Sequence, residues 1–345
     1  MSAAALLVRG SINVDEFFEV HHIVASGETI SSTKYSRRAG GKGANEAVAA
    51  AKAGAQVDFS GAIGTDGLWL KETLTGYGVG IELLGTDDEV PTGRAIIQLS
   101  TSTADNSIVL FPGSNFTLSS APFPSSSDLS SRGYTHLLLQ NEIPLQETTC
   151  ALTLAKQGGL TTIFNPSPML PREELEAFPW AHVDWLLINE GEGETLLAAL
   201  SPAEAAGAAP SPEDLLKQLR GTVLGGLTGI IMTRGAQGVC ASLKGSEKVV
   251  AVGAGKVEGK VVDTTGAGDC FTGFFATLLS TLPPTSTVPL TPSKLNQILT
   301  IACQAAAMCC EKNGAMESVP TLAEVKARMG SGWEEGMEWE GLLRA

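Results

Sequence analysis

The last third of the chain contains the sequence Asp263-Thr264-Thr265-Gly266-Ala267-Gly268-Asp269-Cys270-Phe271, which follows the strand-like residues 260–262. Apolar residues then recur at the spacing of one helix face: Phe271, Phe274, Phe275, Leu278 and Leu279. The glycine turn 266–268 therefore lies at a helix N-terminus, where small residues let backbone N–H groups approach an anion. The sequence predicts an anion-binding turn at the start of this helix.

Asp269 falls in the first turn of that helix, beside the predicted anion site. A carboxylate at this position suits a base that removes a proton from a hydroxyl group as the hydroxyl attacks a phosphate. The alternative is a plain glycine turn with a helix-capping aspartate. Because the chain has no Walker sequence, we favour the catalytic interpretation, with backbone amides of Gly266, Ala267 and Gly268 stabilising the transferring charge.

Outward from this motif, short aliphatic runs alternate with Ala- and Leu-rich helical stretches. The predicted strands are 6–8, 57–63, 135–140, 160–164, 185–188 and 229–233, and the predicted helices are 44–53, one from about 67, 148–157, 212–220, 270–281 and 293–312. This βαβ rhythm favours an α/β fold with a mostly parallel sheet and helices on both faces. A chain of 345 residues is long enough for two domains or one large α/β domain.

Two segments break the rhythm. Residues 14–35 contain no convincing helix, and the extended runs 94–100 and 107–111 flank a polar turn, a pattern typical of antiparallel strands. Paired together, the two segments would form a small sheet over the open end of the main sheet, either as a lid or as an ordinary edge hairpin. We predict surface loops in the segments rich in Ser, Ala or Thr with Pro: 119–131, 202–213 and 281–293.

The composition excludes several classes of protein. With 43% hydrophobic and 17% charged residues the chain is globular, and a net charge of −14 without any basic run argues against nucleic-acid or membrane binding. No apolar stretch reaches the roughly 18 residues of a membrane helix, and residues 3–8 read as a first strand, so we expect a cytoplasmic protein. Six cysteines without a CxxC pair and four histidines without metal-ligand spacing predict reduced thiols and no zinc.

A second glycine-rich turn, Gly40-Gly41-Lys42-Gly43-Ala44-Asn45, enters the Ala-rich helix near the N-terminus. Its glycines allow close approach of a ligand to the backbone, while Lys42 supplies a cation and Asn45 an amide. Many βα loops look similar, so the turn alone is weak evidence. Together with Asp269 it predicts a ligand site.

The two motifs together resemble those of the ribokinase (PfkB-type) family of carbohydrate kinases, which carry an N-terminal GG-containing motif and a C-terminal DTxGAGD motif. The resemblance extends along nearly the whole chain, through residues 10–15 (GSINVD), 141–144 (NEIP), 165–168 (NPSP), 189–192 (NEGE) and 233–238 (TRGAQG). It implies one three-layer α/β/α domain over residues 1–345. It also implies a small β-sheet lid, formed by about 14–38 and 92–111, that makes a homodimer contact.

The resemblance implies ATP-dependent phosphorylation of D-ribose at the 5-hydroxyl, giving ribose 5-phosphate and ADP, with Asp269 as general base. The implied sugar-binding residues are Asn13, Val14, Asp15, Gly41, Lys42, Gly43, Asn45, Glu142 and Asp269. Carboxylates and amides suit a ligand that offers only hydroxyl groups. Taken singly, Asp15 could cap a turn and Glu142 could be a solvated loop charge.

The implied ATP site consists of Asn189, Glu192, Thr233, Gly235, Ala236, Gln237, Gly238, Gly268 and Cys303. In it Asn189 and Glu192 would organise Mg²⁺ and the phosphates, Glu192 through water. The acidic helix start 190–194 would also follow from compensation of the helix dipole alone. Arg234 reaches a phosphate or faces solvent, and Cys303 lies against the adenine or in the core.

A loop near the C-terminus resembles the family's site for a monovalent cation such as K⁺, which here would consist of Asp263, Thr265, Cys309, Lys312, Gly314 and Ser318. Backbone carbonyls with one carboxylate and one hydroxyl suit a weakly hydrated cation. Bound beneath the glycine turn 266–268, the cation would orient the anion hole without touching the substrate. The Cys309-Cys310 pair departs from the small or aliphatic residues usual at this point of the family.

Two alternatives remain open from the sequence. The first is a kinase of the same family for deoxyribose, fructose, a ketodeoxy sugar acid or a nucleoside. A nucleoside would call for aromatic stacking, for which Phe17, Phe18 and Tyr35 are available, and a sugar acid would call for a base such as Arg94. The second is a non-catalytic sugar sensor on the same fold, against which the intact Asp269 argues.

Overall fold

A computed structural model describes residues 5–103, 105–117, 123–201, 210–282 and 290–330. Its strands are β1 (Ala5–Arg9), β2 (Asn13–Val20), β3 (Lys34–Gly40), β4 (Gln56–Gly64), β5 (Gly80–Asp87), β6 (Gly93–Ser100), β7 (Asn106–Phe111), β8 (Tyr134–Leu139), β9 (Thr161–Phe164), β10 (Trp185–Asn189), β11 (Gly229–Thr233), β12 (Val239–Leu243) and β13 (Val250–Val252). Its helices are α1 (Lys42–Lys52), α2 (Trp69–Gly76), α3 (Ser126–Ser131), α4 (Leu145–Gln157), α5 (Arg172–Ala177), α6 (Glu190–Leu200), α7 (Pro212–Arg220), α8 (Ala267–Ser280), α9 (Pro292–Cys309) and α10 (Leu322–Met329).

The main sheet has nine strands in the order β13-β12-β11-β10-β9-β8-β1-β4-β5. The seven strands from β11 to β5 pair in parallel, and β12 and β13 continue the sheet antiparallel. Helices cover both faces, which explains why the central strands are apolar along their whole length. The predicted three-layer α/β fold is confirmed.

The two segments that break the βαβ rhythm pair with each other in a separate four-stranded sheet, β3-β2-β6-β7. Within it β6 and β7 are antiparallel, as predicted, and β2 pairs with β6 in parallel from Asn13↔Gly93 to Val20↔Ser100. We call this small sheet the lid sheet. All of its connections to the main sheet lie at one end, where β2 follows β1 and β3 leads into α1.

Helices α1 and α8 are in close contact on one face of the main sheet. A Cβ atom at Gly273 of α8 would lie 2.5 Å from Cβ of Ala49 and 2.6 Å from the carbonyl oxygen of Glu46, so only glycine permits this spacing. On the opposite side of α8, Phe275 packs edge-on against the buried ring of Trp185 at 5.3 Å between ring centroids. This packing fixes the N-termini of α1 and α8 side by side.

Some local predictions are wrong. Residues 260–262 form no strand, because the backbone N–H of Val262 donates to the carbonyl of Cys310 instead of to a strand, and both valines there are largely exposed. The loop predicted over 119–131 contains helix α3, which Ser125 caps and Leu129 anchors in the core. Residues 202–209 and 283–289 of the other two predicted loops, and residues 331–345, lie outside the described part of the chain.

None of the helices in the described residues is long and apolar enough to cross a membrane.

Candidate active site

The site forms where the N-termini of α1 and α8 meet at the carboxyl edge of the parallel strands. Asp269, in the first turn of α8, is 8% exposed, and one of its oxygens accepts a hydrogen bond of 2.8 Å from Nδ2 of Asn45 in α1. The ammonium group of Lys42 lies 3.9 Å from the other oxygen. The two glycine-rich motifs, more than 200 residues apart in sequence, therefore build one site.

The glycines before α1 serve first of all the packing of the chain on itself. Gly41 has a φ of +89°, and Cβ atoms at Gly41 and Gly43 would lie within 3 Å of backbone atoms in residues 10–13. The sequence predicts that these glycines allow a ligand to approach, whereas in the structure they join α1 to the loop after β1. This contact places Asn13 beside Gly41 and Asp15 beside Gly40.

Glu142 joins three parts of the chain at the same place. One of its carboxylate oxygens accepts hydrogen bonds from the Ser11 hydroxyl at 2.6 Å and from the backbone N–H of Lys42 at 3.0 Å. Glu142 is thus not a solvated loop charge. It fixes the start of α1 against the loop that follows β1.

Lys42 is surrounded by carboxylates. Burial by itself would lower the pKa of Lys42, but the negative charges of nearby carboxylates raise it above its ordinary value, so the side chain is a permanent cation. These carboxylates belong to Asp269, Glu142, Glu46 and Glu192. The positive charge of Lys42 offsets the mutual repulsion of these carboxylates.

Asp15 extends from β2 toward the same site. Its carboxylate lies against Gly40, where a Cβ atom would come within 2.0 Å of one carboxylate oxygen. Burial, reinforced by repulsion from Glu142 and Asp269, raises the pKa of Asp15 to about 7. A carboxylate kept in such an unfavourable position is typical of a ligand-binding group.

A cavity of about 570 Å³ opens on the other side of the α8 N-terminus. Six of the residues predicted to bind nucleotide line it: Thr233, Gly235, Ala236, Gly238, Gly268 and Cys303. Its wall is mostly apolar, with Phe271 and Val257 among the lining residues, as a planar base requires. Burial raises the pKa of the Cys303 thiol to about 12, so this side chain contributes a neutral surface.

The remaining residues of the predicted nucleotide site have partners of their own. Asn189 and Glu192 form a reciprocal capping box at the start of α6, with two hydrogen bonds of 2.8 Å. Gln237 accepts a hydrogen bond from Arg234, whose Nε donates to Glu190 at 3.1 Å. Arg234 is therefore held by protein groups, and Asn189 and Glu192 act as caps of α6 in this structure.

The predicted cation loop comes together beneath the glycine turn. The Asp263 carboxylate accepts the backbone N–H groups of Thr265 at 2.9 Å and Gly314 at 3.0 Å, and the thiol of Cys309 lies 2.8 Å from the Ser318 hydroxyl. A Cβ atom at Gly266 would lie 2.9 Å from Ala315, so the loop abuts the glycine turn directly. The described residues contain no group of three or more His, Cys, Asp or Glu that could hold a metal ion.

Comparison with known proteins agrees with this geometry. The pattern of the pfkB family carbohydrate kinases matches residues 3–322. The chain belongs to this family. It is 32% identical over 325 residues to the ribokinase of Haemophilus influenzae, covering 92% of this chain and 96% of that protein. It is 31% identical to the ribokinase of Schizosaccharomyces pombe, covering 93% and 96% of the two chains.

Solved structures of the same family superpose on the carbohydrate kinase described here. The ribokinase of Cryptococcus neoformans in complex with ADP is 43% identical, with a TM-score of 0.80 over 94% of this chain and 100% of that chain. The ribokinase of Arabidopsis thaliana complexed with ribose and ATP is 28% identical, with a TM-score of 0.78 over 95% and 99% of the two chains.

Several buried polar residues behind the site of this kinase are not predicted by its sequence pattern. Glu46 is fully buried in α1 and receives hydrogen bonds from the side-chain amides of Gln140 and Asn165. Burial, followed by repulsion from Asp269, raises the pKa of Glu46 well above its ordinary value. Asn115, in the turn after β7, is hydrogen-bonded to Asn13. A polar residue in an otherwise apolar helix face, and an asparagine after Pro112-Gly113, were the available signals.

The raised pKa of Asp15 predicts a stability change with a definite sign. The unfolded chain ionises this carboxyl near its ordinary pKa of 3.8 and the folded chain only near 7, so folding loses stability between these pH values and does not regain it above. We expect Asp15→Asn to raise the free energy of unfolding at pH 8 by about 2–4 kcal/mol, at about 1.4 kcal/mol per pKa unit, with no gain near pH 3.5.

Denaturant unfolding at a series of pH values measures this difference. Asp66→Asn is the control of opposite sign: hydrogen bonds from Thr92 and Arg94 outweigh the effect of burial and lower the pKa of Asp66, so this variant should lose stability at pH 8. A gain for Asp15→Asn that is equal at pH 3.5 and pH 8 would contradict the assignment.

Proposed function

We propose that this carbohydrate kinase phosphorylates D-ribose at the 5-hydroxyl with ATP, giving ribose 5-phosphate and ADP. One observation carries the proposal. Gly268 lines the nucleotide cavity, and the next residue, Asp269, is hydrogen-bonded to Asn45 in the polar pocket on the other side. A phosphoryl group held at the start of α8 would thus meet a hydroxyl held beside Asp269.

Gly268 supports transfer at this point. A Cβ atom there would meet nothing within 4 Å, and its φ lies outside the region that favours glycine, so neither packing nor backbone conformation requires glycine. Close approach of a ligand to the backbone is the remaining reason for it. Gly266, with a φ of +75° at the N-cap of α8, turns the chain so that the amides of residues 266–268 form the anion hole.

In the proposed reaction Asp269 accepts the proton of the 5-hydroxyl while the hydroxyl oxygen attacks the γ-phosphorus. The new oxygen–phosphorus bond forms as the bond to the β-phosphate oxygen breaks, and ADP leaves. Asn45 orients the carboxylate through its Nδ2, while its buried Oδ1 has no hydrogen-bond partner in the described residues and suits a sugar hydroxyl. Lys42 would neutralise charge that develops at the transferred group.

The contacts of Arg94 count against a sugar acid as the acceptor. Of the three rings considered for a nucleoside, Phe17 lies on the Asp15 face of β2 and the other two do not. Arg94 is the cationic side chain that the carboxylate of a sugar acid would need. It donates to Asp66 at 2.5 Å and to Glu16 at 3.0 Å. Phe18 pairs with Tyr35 in the lid sheet and, by strand alternation, lies on the face opposite to Asp15. These two rings are therefore not placed to stack on a nucleoside base beside Asp15.

We propose that Mg²⁺ arrives with ATP. Asn189 lies opposite Thr233 at the ends of β10 and β11, beside the nucleotide cavity, and the charge of Glu192 is close enough to influence Lys42. Their oxygens fit a hydrated Mg²⁺, which keeps several waters and takes most of its other ligands from phosphates. The ion would neutralise phosphate charge, and the capping box would keep the two side chains in place.

We also propose a K⁺ site in the loop beneath the anion hole. Asp263 supplies a carboxylate, and Thr265, Cys309, Lys312, Gly314 and Ser318 supply hydroxyl and carbonyl oxygens in a loop held together by hydrogen bonds. Hard oxygen donors of this kind fit an alkali cation. Because Ala315 abuts Gly266, ordering this loop would order the anion hole.

We propose that the lid sheet joins two copies of the chain. Asp15 and Phe17 lie on the same face as Ala95, Ile97, Ile108 and Leu110, because the strand register places them opposite one another. Ile108 and Leu110 are 51% and 57% exposed. An apolar stripe that runs on from the sugar-binding face suits the same stripe of a second copy.

Replacing the general base tests the reaction. We expect Asp269→Asn to lower kcat for ribose phosphorylation by roughly 10²- to 10⁴-fold, because the asparagine keeps the shape of the side chain and cannot take the proton. The KM for ATP should stay within a few-fold of wild type. ADP release measures both, calorimetric binding of nucleotide confirms that the variant folds, and turnover equal to wild type would refute the role.

A panel of acceptors tests substrate and cation together. ADP release is measured with Mg-ATP and ribose, deoxyribose, fructose, a ketodeoxy acid or adenosine, each in K⁺ or Na⁺. We expect the highest kcat/KM with ribose in K⁺, and loss of the K⁺ advantage in Asp263→Asn. A higher kcat/KM with another acceptor would show that the pocket of residues 13–45 is wrongly assigned to ribose. Equal rates in K⁺ and Na⁺ would overturn the cation site. No turnover with any acceptor would favour the sugar-sensor alternative.

The lid contact is tested by two neighbouring substitutions on β7. We expect the wild-type protein to sediment as a dimer and Ile108→Glu to sediment as a monomer, because a charge would be buried in the contact. Val109→Glu is the matched control: its side chain is 60% exposed but lies on the opposite face of the same strand, so the dimer should persist. If both substitutions dissociated the dimer, or if neither did, the proposed contact face would be contradicted.

A further inference from the structure

Hydrogen bonds satisfy every polar atom of the Asn115 side chain, which lies beside the proposed sugar pocket. It lies in the turn after β7 and is 1% exposed. It contacts residues 12 and 13, where the chain passes from β1 into β2 of the lid sheet. Its Oδ1 accepts the backbone N–H of Ile12 at 2.9 Å, and its Nδ2 donates to the carbonyl of Ile12 at 3.1 Å and to Oδ1 of Asn13 at 2.7 Å. Both amide hydrogens and the oxygen are thus in use.

These contacts determine the orientation of the Asn115 amide first, and through it the orientation of the Asn13 amide. The backbone N–H of Ile12 can only donate, so the oxygen of Asn115 must face it and the nitrogen must face Asn13. The group of Asn13 that faces this nitrogen must then be its oxygen, since two NH₂ groups would repel each other. The Nδ2 of Asn13 is turned away from Asn115, and no described residue accepts a hydrogen bond from it.

Asn13 and Asp15 are two residues apart on β2 and share one of its faces. Asn13 begins the strand between Gly40 and Gly93 of the neighbouring strands. A Cβ atom at Gly93 would lie 2.2 Å from Nδ2 of Asn115 and 2.4 Å from Oδ1 of Asn13, so glycine is required for the two amides to meet.

We propose that Asn115 is a positioning residue that locks the side chain of Asn13 with its NH₂ group toward the sugar. The pocket then offers a sugar hydroxyl a neutral donor from Asn13 beside the acceptor carboxylate of Asp15. Adjacent hydroxyls of a sugar can use both, one as acceptor and the other as donor. The inference rests on the proposed function only in taking residues 13–45 as the acceptor pocket.

The test reverses or removes the lock. In Asn115→Asp an oxygen replaces the nitrogen that faces Asn13, so the Asn13 amide must turn over and present its oxygen to the sugar. We expect the KM and the calorimetric Kd for ribose to rise by roughly 10- to 100-fold, as for a lost hydrogen bond that becomes an unfavourable contact. The KM for ATP should change by less than about twofold, because the lock does not touch the nucleotide cavity.

A double-mutant cycle separates positioning from general stability. If Asn115 acts through Asn13, then Asn115→Ala should weaken ribose binding about tenfold in the wild type and less than about twofold in Asn13→Ala. The proposal would be overturned if the losses of ribose affinity in the two single variants multiplied in full in the double variant. An unchanged ribose KM in Asn115→Ala would overturn it too. Ser114→Ala is the matched control: its buried hydroxyl donates to the carbonyl of Ala62 in the same turn, so it should lower thermal stability without changing the ribose KM.

Two further measurements keep the outcome decisive. If the Asn115 variants do not fold, wild-type protein labelled with ¹⁵N at asparagine is titrated with ribose. The Asn13 NH₂ resonance, identified by its loss in Asn13→Ala, should shift, and an unshifted resonance would overturn the proposal. If the acceptor panel shows a sugar other than ribose, the cycle is run with that sugar, so failure of the ribose assignment and failure of the Asn115 lock give different results.

Discussion

The hydrogen bond between Asn45 and Asp269 is the contact on which the site depends, because it joins two helix N-termini that begin on different parts of the chain. It can form only because α1 and α8 lie unusually close, at a spacing that Gly273 makes possible. Several carboxylates lie around it, and the cation Lys42 lies among them. Packing of two apolar helices thus supplies the free energy that holds an unfavourable group of charges in one place.

Much of this arrangement follows from the sequence. The βαβ rhythm predicts the parallel sheet because buried parallel strands must be apolar along their length, and each long amphipathic run became a helix. The polar turn between β6 and β7 predicts their antiparallel pairing. The glycine motifs at 40–45 and 263–271 together predict a ligand site, since both lead into helices and the second carries Asp269.

Other features could not be read from local pattern. Val261 and Val262 have strand-like side chains, but the backbone N–H of Val262 donates to the carbonyl of Cys310, which only the folded chain brings near. The close contact at Gly41 and Gly43 is with residues 10–13, so glycine there reports packing as much as ligand binding. The roles of Asn115 and Glu46 depend on hydrogen bonds between residues 94 to 119 positions apart in sequence, and no periodicity encodes them.

The attachment of the lid sheet limits the ways in which it can move. Four points connect it to the rest of the molecule: the start of β2, the end of β3, the start of β6 and the end of β7. The strand register places all four in one row, through Asn13↔Gly40, Asn13↔Gly93 and Arg94↔Phe111. A sheet anchored along one row keeps a single easy degree of freedom, rotation about that row, and its free end travels the farthest. If the lid sheet opened the pocket, it would do so by rotation about that row, with its four strands moving together.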